Sequence, residues 1–191
     1  MKKLPVRCSW AGTDPVYCAY HDNEWGVPVH NDKKLFEMLI LEGFQAGLSW
    51  ITILRRREQF RKAFDNWDWN AIARYGKRDI ARLMSNKAII RNRLKIVSSI
   101  NNARRFIEVR SEFGTFSRYM WRFTAGKTLL PKRPYKTWKH VPARTALSDA
   151  MSVDLKKRGF TFVGSVICYS HMQAVGMVND HTKGCFKCPV R

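Results

Sequence analysis

The stretch Asp32-Lys33-Lys34-Leu35-Phe36-Glu37-Met38-Leu39-Ile40-Leu41-Glu42-Gly43-Phe44-Gln45-Ala46-Gly47-Leu48-Ser49-Trp50 decides the fold class. Leu35, Phe36, Leu39, Ile40 and Gly43 recur at helical spacing, and Asn31-Asp32 offers an N-cap. Residues 32–64 read as helix, divided into two by Gly43 and Gly47 with a turn near Gln45-Ala46-Gly47. Trp50, Ile51, Ile53 and Leu54 continue the second helix. Further along come a short helical piece at 70–73, a helix at 79–84 and a tight turn at Ser85-Asn86-Lys87. A long helix over 89–106 follows, with Ile89, Ile90, Leu94, Ile96, Val97, Ile100 and Ala103 as its apolar residues. Helices are also expected at 148–158, stopped by a left-handed cap at Gly159, and at 163–175. Between the long helix and these two, residues 127–144 set Pro131, Pro134 and Pro142 among Lys and Arg and read as a basic connecting loop. Strand signals are scarce, so the class is all-α.

A chain of 191 residues is one domain, and at that size about 70% of the unfolded surface can be buried without a disulfide or metal. No apolar run reaches the ~18 residues of a membrane span. The start Met1-Lys2-Lys3-Leu4-Pro5 is basic but lacks the apolar stretch of a signal peptide. With 11 Phe, 7 Trp and 6 Tyr spread along the chain, disorder is excluded. Lys and Arg total 35 against 15 Asp and Glu, a net charge of +20. That excess favours a polyanionic partner, nucleic acid ahead of an anionic membrane surface, although a general preference for solubility would also produce it. Five cysteines, an odd number without an export signal, point to a reducing compartment and to metal binding or burial in place of disulfides.

Both ends of the chain, before about Leu35 and after Val178, are too poor in apolar residues to hold themselves down. The early segment reads as short, aromatic and turn-rich. Cys8 and His21 at one end and His181 and Cys185 at the other make a donor set of two thiolates and two imidazoles, suited to a structural zinc that clips the ends together. A local reading instead joins Cys185-Phe186-Lys187-Cys188 to Cys8 and Cys18; burial alone suits Cys18 and Cys168. Leu83-Met84-Ser85-Asn86-Lys87-Ala88-Ile89-Ile90-Arg91 reads as two helices joined by a short turn, with Arg91, Arg93 and Lys95 on the second. A helix start flanked by cations can grip a DNA phosphate, and it can equally be an ordinary corner. Trp10, Tyr17, Tyr20, Trp25 and Trp50 offer flat faces near Glu42, a carboxylate beside two glycines. Aromatic faces stack on a base and attract a cation, and a carboxylate accepts from an exocyclic amine, so a flat, cationic, amine-bearing ligand such as a methylated adenine fits. The plain alternative is that the aromatics are core and Glu42 pairs with an arginine.

Motifs along nearly the whole chain resemble the 3-methyladenine DNA glycosylase I family of bacterial helix-hairpin-helix enzymes. They are Tyr20-His21-Asp22-Asn23-Glu24-Trp25-Gly26-Val27-Pro28, Lys34-Leu35-Phe36-Glu37-Met38, Gln45-Ala46-Gly47-Leu48-Ser49-Trp50 and Ile89-Ile90-Arg91-Asn92-Arg93. Lys156-Lys157-Arg158-Gly159-Phe160, Phe162-Val163-Gly164, Ile167-Cys168-Tyr169-Ser170 and Val178-Asn179-Asp180-His181 complete the set. Only 127–144 is without a counterpart. The resemblance implies an all-α, two-lobed domain over 1–191 with a helix-hairpin-helix motif and a DNA groove between the lobes. It implies one structural zinc at Cys8, His21, His181 and Cys185, tying ends 1–30 and 178–191, which sets Cys188 aside. It implies a base pocket of Trp10, Tyr17, Tyr20, Glu42 and Trp50, with Glu42, Tyr20 and Trp50 nearest the chemistry. Leu48 is implied to probe the duplex, and Arg91 and Arg93 to meet phosphate. Phe44, beside the pocket, and Ala88, in the hairpin, depart from the family pattern.

The activity implied is hydrolysis of the N-glycosidic bond of 3-methyladenine, with 3-methylguanine as a further substrate, in alkylated double-stranded DNA. The enzyme is expected to be a monomer of the bacterial cytoplasm. Many helix-hairpin-helix glycosylases place an Asp about twenty residues past the hairpin, yet between Asp79 and Asp149 the only acidic residues are Glu108 and Glu112. No desolvated lysine is expected at the hairpin, so the reading is a monofunctional glycosylase without strand cleavage. A non-catalytic, zinc-stabilised reader of alkylated DNA is the alternative.

Overall fold

Helix α2 (Asp32–Gln45) is buried at every position from Leu35 to Phe44. A helix apolar on all sides belongs at the centre of a domain, and α2 packs against α3 (Trp50–Leu54), α7 (Arg93–Phe113), α8 (Phe116–Trp121) and α10 (Ser165–Ala174). The computed structural model describes residues 5–189; 1–4, with the basic start Met1-Lys2-Lys3-Leu4, and 190–191 lie outside the described residues. The remaining helices are α1 (Pro15–Asn23), α4 (Arg57–Ala63), α5 (Trp69–Ala73), α6 (Lys77–Ser85) and α9 (Ala146–Lys157). Four short 3-10 turns join them, and no strand forms among the described residues beyond one isolated bridge between Leu129 and Val178. The all-α class stands. No helix among the described residues is long and apolar enough to cross a membrane.

Asn31 caps α2 as expected, its side chain accepting from the Lys34 amide. Gly43 does not break the helix. It lies inside α2 against Phe162, where an added Cβ would sit 3.5 Å from the Phe162 Cβ. The break falls after Gln45, and Gly47 makes it with φ +79°, a value that side-chain-bearing residues rarely adopt. The second helix of that stretch is itself split into α3 and α4. An ion cluster spans α2, α4 and the end of α1: Arg57 bonds Glu37 at 2.7 Å and Glu24 at 2.9 Å, and Lys34 bonds Glu24 at 2.7 Å.

Two helices were not foreseen. The supposed turn-rich start contains α1, whose N-cap Asp14 accepts from the Val16 and Tyr17 amides while Pro15 occupies the first helical position. Helix α8 was missed as well. The long helix begins later than its apolar pattern suggested: Asn92 caps it, and 86–92 is an irregular connection, so Ile89, Ile90 and Arg91 are not helical. Leu94 (73% exposed) and Val97 (42%) face solvent, not the core.

The chain ends meet through backbone as well as side chains. Gly26 N donates to Gln173 O and Val29 N to Val175 O. At Gly176 (φ +71°) the approach is so close that a Cβ would lie 2.3 Å from the Val27 carbonyl carbon.

Candidate active site and metal centre

The four donors expected at the two ends converge. Cys8, His21, His181 and Cys185 are all buried, with their ligand atoms within 4.8 Å of one another. Cys8 Sγ and Cys185 Sγ each lie 3.5 Å from His181 Nδ1, and Cys185 Sγ lies 3.5 Å from His21 Nε2. A tetrahedron with bonds of about 2.3 Å to sulfur and 2.0–2.1 Å to nitrogen has sulfur–nitrogen edges of about that length. The donor set therefore fits a metal ion. The outer ring nitrogens are anchored: His21 Nδ1 pairs with Asp22 Oδ1 at 2.8 Å, with Arg7 on the same carboxylate, and His181 Nε2 reaches the Trp25 carbonyl at 3.2 Å. Such partners fix ring orientation and turn the inner nitrogens toward the thiols, with the Cys8 amide also 3.2 Å from His21 Nε2. Desolvation lowers the pKa of both imidazoles, to about 4 for His181, so they are neutral as ligation requires. Cys18 is half-buried and Cys168 buried, both outside the cluster.

Beside this cluster lies a cavity of about 300 Å³. Trp10, Tyr17, Tyr20, Glu42 and Trp50, the five residues expected together, all line it. Tyr17 and Tyr20 come one turn apart on α1, Glu42 from the last turn of α2, and Trp50 from the first position of α3. Trp25, Gln45, Ser49, Trp138, Ser170 and Gln173 complete the lining. The Tyr20 and Trp50 rings meet at 5.6 Å, and Trp10 packs edge-on against Tyr17 at 5.0 Å. Asp180 accepts from Tyr169 at 2.7 Å and from Gln173 at 2.8 Å, fixing the Gln173 amide at the cavity wall.

Glu42 is only 3% exposed, and its Oε2 has no hydrogen-bond partner. No arginine among the described residues pairs with it. Burial pushes its carboxyl up to about 8 and, with Glu42 nearby, raises the Tyr17 and Tyr20 phenols. An unpaired buried carboxylate is costly, and a donor or cation entering the cavity would satisfy it. The Trp10 indole nitrogen is likewise buried without a partner.

Leu48, 39% exposed, sits on the turn between α2 and α3, next to the cavity-lining Ser49. Arg93 is the first residue of α7, whereas Arg91 lies one residue before the cap; both are exposed. Ala88 needs no left-handed backbone, and its amide donates to Asn86 Oδ1 at 2.9 Å. Phe44 is not a cavity residue. It packs in the core against Phe60 at 4.7 Å.

A desolvated lysine does stand near the 86–92 connection. Lys95 is 8% exposed, and burial lowers its pKa. Its ammonium donates to Phe44 O at 2.8 Å and to Ala46 O, capping the carbonyl end of α2 and holding the turn that carries Leu48. It lies outside the cavity lining, so its chemistry is positional. Of the lining residues not foreseen, Ser170 and Gln173 stand one turn apart on α10, a spacing that was readable. Trp138, in the proline-rich loop, had no local signal.

Residues 10–188 match the family model for methyladenine glycosylase. The chain is 48% identical over 179 residues to DNA-3-methyladenine glycosylase 1 of Escherichia coli (strain K12), covering 94% of this chain and 95% of that protein. Identity to the DNA-3-methyladenine glycosylase of Haemophilus influenzae is 41% over 182 residues, 95% of this chain and 97% of the other. A solved 3-methyladenine DNA glycosylase I with a tyrosine-to-phenylalanine substitution, in complex with 3-methyladenine, superposes with a TM-score of 0.91 at 33% identity. That superposition covers 96% of this chain and 97% of the other. The likeness takes in the cavity wall and three of the four metal donors in one unbroken span, and the chain belongs to the methyladenine glycosylase family.

Proposed function

We propose that this protein is a base-excision repair glycosylase that hydrolyses the N-glycosidic bond of 3-methyladenine in alkylated double-stranded DNA. The observation that carries the reading is the Glu42 carboxyl, buried without a partner for Oε2 in an aromatic cavity of about 300 Å³. The damaged nucleotide leaves the stack and its base enters the cavity. Methylation makes the base cationic and weakens its bond to the sugar. Trp50 and Tyr20 supply stacking faces, and Glu42 accepts from the exocyclic amine. The raised Glu42 pKa means that the empty pocket is mostly uncharged at neutral pH and becomes anionic as the cation binds. Neutral adenine offers no such gain and keeps its stronger bond. When the glycosidic bond breaks, its electron pair goes to the base, and water captures the oxocarbenium-like sugar. Nothing in this scheme needs a covalent enzyme intermediate, and Lys95, committed to two carbonyls, is not a free nucleophile. The reading is therefore a monofunctional enzyme.

In this reading α6, the 86–92 connection and α7 form a helix-hairpin-helix. Arg91 and Arg93 take phosphate, and Leu48 fills the vacated base position in a groove between two lobes of one domain. Zinc is the metal suited to the Cys2His2 donor set; when bound, it would hold both thiols as thiolates and tie the chain ends. A place in the bacterial cytoplasm agrees with the bacterial relatives, and monomeric action remains part of the reading. Release of free base from methylated DNA tests the function. The parent should release 3-methyladenine without nicking the strand, and Glu42→Gln should weaken free-base binding by about tenfold or more, the worth of a charge-assisted bond. Tight binding of methylated DNA without base release would instead make the protein a reader of alkylation.

A further inference from the structure

Trp138 reaches the cavity from the loop 127–144, the one region without a counterpart among the motifs. Its ring centroid lies 6.1 Å from Trp10 and 5.8 Å from Trp25, and it is half-buried. The loop is fastened to the segment that follows α10. Thr128 Oγ1 donates to Gly176 O at 2.7 Å, Leu129 N to Met177 O at 2.9 Å, and Asn179 N to Leu129 O at 3.0 Å. Lys183 N donates to Tyr135 O at 2.8 Å, three residues ahead of Trp138. A 3-10 turn over Trp138–His140 then points the indole at the cavity, and Lys136 and Lys139 on either side of it in sequence are exposed. Among the described residues, the only ion pair made by a cation of 127–144 is Arg144 with Asp149, at 3.5 Å. Lys136 and Lys139 are thus uncompensated positive charges next to a residue of the pocket wall.

We propose that 127–144 is a substrate arm in which Trp138 is a base-binding wall and Lys136 and Lys139 take DNA phosphates at the pocket mouth. The proposal rests on reading the cavity as a 3-methyladenine pocket. Tryptophan offers the most favourable aromatic face to a cationic ring, and the adjoining lysines suit the phosphates of the strand from which that ring is turned out. The arm hangs on the segment that bears His181, so the metal-donor cluster also fixes the position of this wall.

The test uses Trp138→Ala, Trp138→Leu and the double variant Lys136→Gln/Lys139→Gln in the metal-loaded protein. Each is titrated with free 3-methyladenine and with undamaged duplex over a salt series. Trp138→Ala should weaken base binding by about tenfold, within the range of lost base–aromatic stacking, with duplex binding unchanged. Trp138→Leu keeps apolar bulk without an aromatic face and should stay several-fold weaker than the parent. The lysine double variant should keep base affinity and reduce the log–log salt slope for duplex binding by about 2. If the parent binds the base and Trp138→Ala or Trp138→Leu binds it equally well, Trp138 only packs and the proposal is overturned. An unchanged salt slope in the double variant overturns it too. A parent that itself fails to bind the base sinks the underlying pocket reading, a result separable from either of these.

Discussion

The metal-donor cluster and the aromatic cavity are adjoining rooms with opposite finishes. In the cluster, sulfur and nitrogen donors face one another across 3.5 Å, and the outer nitrogen of each imidazole is anchored. In the pocket, the polar atoms stand around about 300 Å³, and Glu42 Oε2 is left without a partner. Convergent donors suit a point charge that is to remain, whereas spaced donors on flat walls suit a planar guest that must enter and leave. The two share chain and walls. Cys8 and His21 serve the cluster, while Trp10 and Tyr20, close by in sequence, serve the pocket. Trp10 meets His21 at 5.2 Å, and Trp25 meets His181 at 4.6 Å. A disturbance of the closed room should therefore reach the open one.

The largest expected effect breaks the closed room. Cys185→Ala should lose the metal and about 5 kcal/mol or more of stability, the upper end for single substitutions, and base affinity should fall with it. Cys188→Ala should keep the metal. Metal analysis, melting curves and base titration read the three quantities together; parental base affinity in metal-free Cys185→Ala would show that the rooms are independent. Next comes the open room. With Glu42 at about 8 in the fold against 4.5 ordinarily, both states are protonated at low pH. As pH rises through that interval the unfolded chain ionises first, so the fold loses stability until about pH 8. Glu42→Gln should thus stabilise the ligand-free protein by about 3 kcal/mol at pH 7 and hardly at all at pH 4, measured by denaturant unfolding. Equal effects at both pH values would contradict an uncompensated carboxyl.

A third buried site sharpens the contrast because it serves neither room. His171 on α10 is 1% exposed, and neither ring nitrogen has a partner. His171→Phe should stabilise the fold by about 2 kcal/mol at pH 7 by removing unsatisfied polar atoms. Burial holds this imidazole down at about 4 against 6.5, so in the parent stability is lost as pH falls through that interval and the benefit of phenylalanine should grow there. No gain from the substitution would mean that the ring is satisfied. The smallest effect lies on the surface: Arg91→Ala and Arg93→Ala should each lower the salt slope of duplex binding by about 1 and leave free-base affinity unchanged. An unchanged slope in both makes the 86–92 connection an ordinary corner.

How far all this could be read in advance depended on whether a signal was local. The helical period of α2, the cap at Asn31 and the turn at Gly47 are written within a few residues each. Residue chemistry alone put forward the four donors beside a rival set with Cys18 and Cys188; the family resemblance chose between them and drew the five cavity residues together. The family resemblance placed Phe44 beside the pocket, but two positions on from Glu42 a helix turns the side chain away from the cavity and into the core. Lys95 looked like one more surface cation; only the fold brings the carbonyls of Phe44 and Ala46 to its ammonium. The start of α7 was misplaced because Ile89 is buried from a non-helical connection, where apolar character carries no helical period. Helix α1 was the avoidable miss, since Asp14-Pro15 spells its own N-terminus.

The close passage of Gly176 over Val27 has a consequence for how the protein is made. A pocket with Trp10, Tyr17 and Tyr20 from one side and Ser170 and Gln173 from the other cannot be assembled until the segment carrying α10 has left the ribosome. At translation rates of about 5–20 residues per second, the first aromatic residues wait about 8 to 30 seconds for their partners. Through that interval α1 has nothing from α10 to pack against, and Cys8 and His21 have only each other as donors. Joining these segments is among the longest loop closures within these residues. A ribosome stalled before Cys185 would thus expose a nascent chain with neither room complete, whereas emergence of the segment through Cys185 makes the last donor and the last wall residues available.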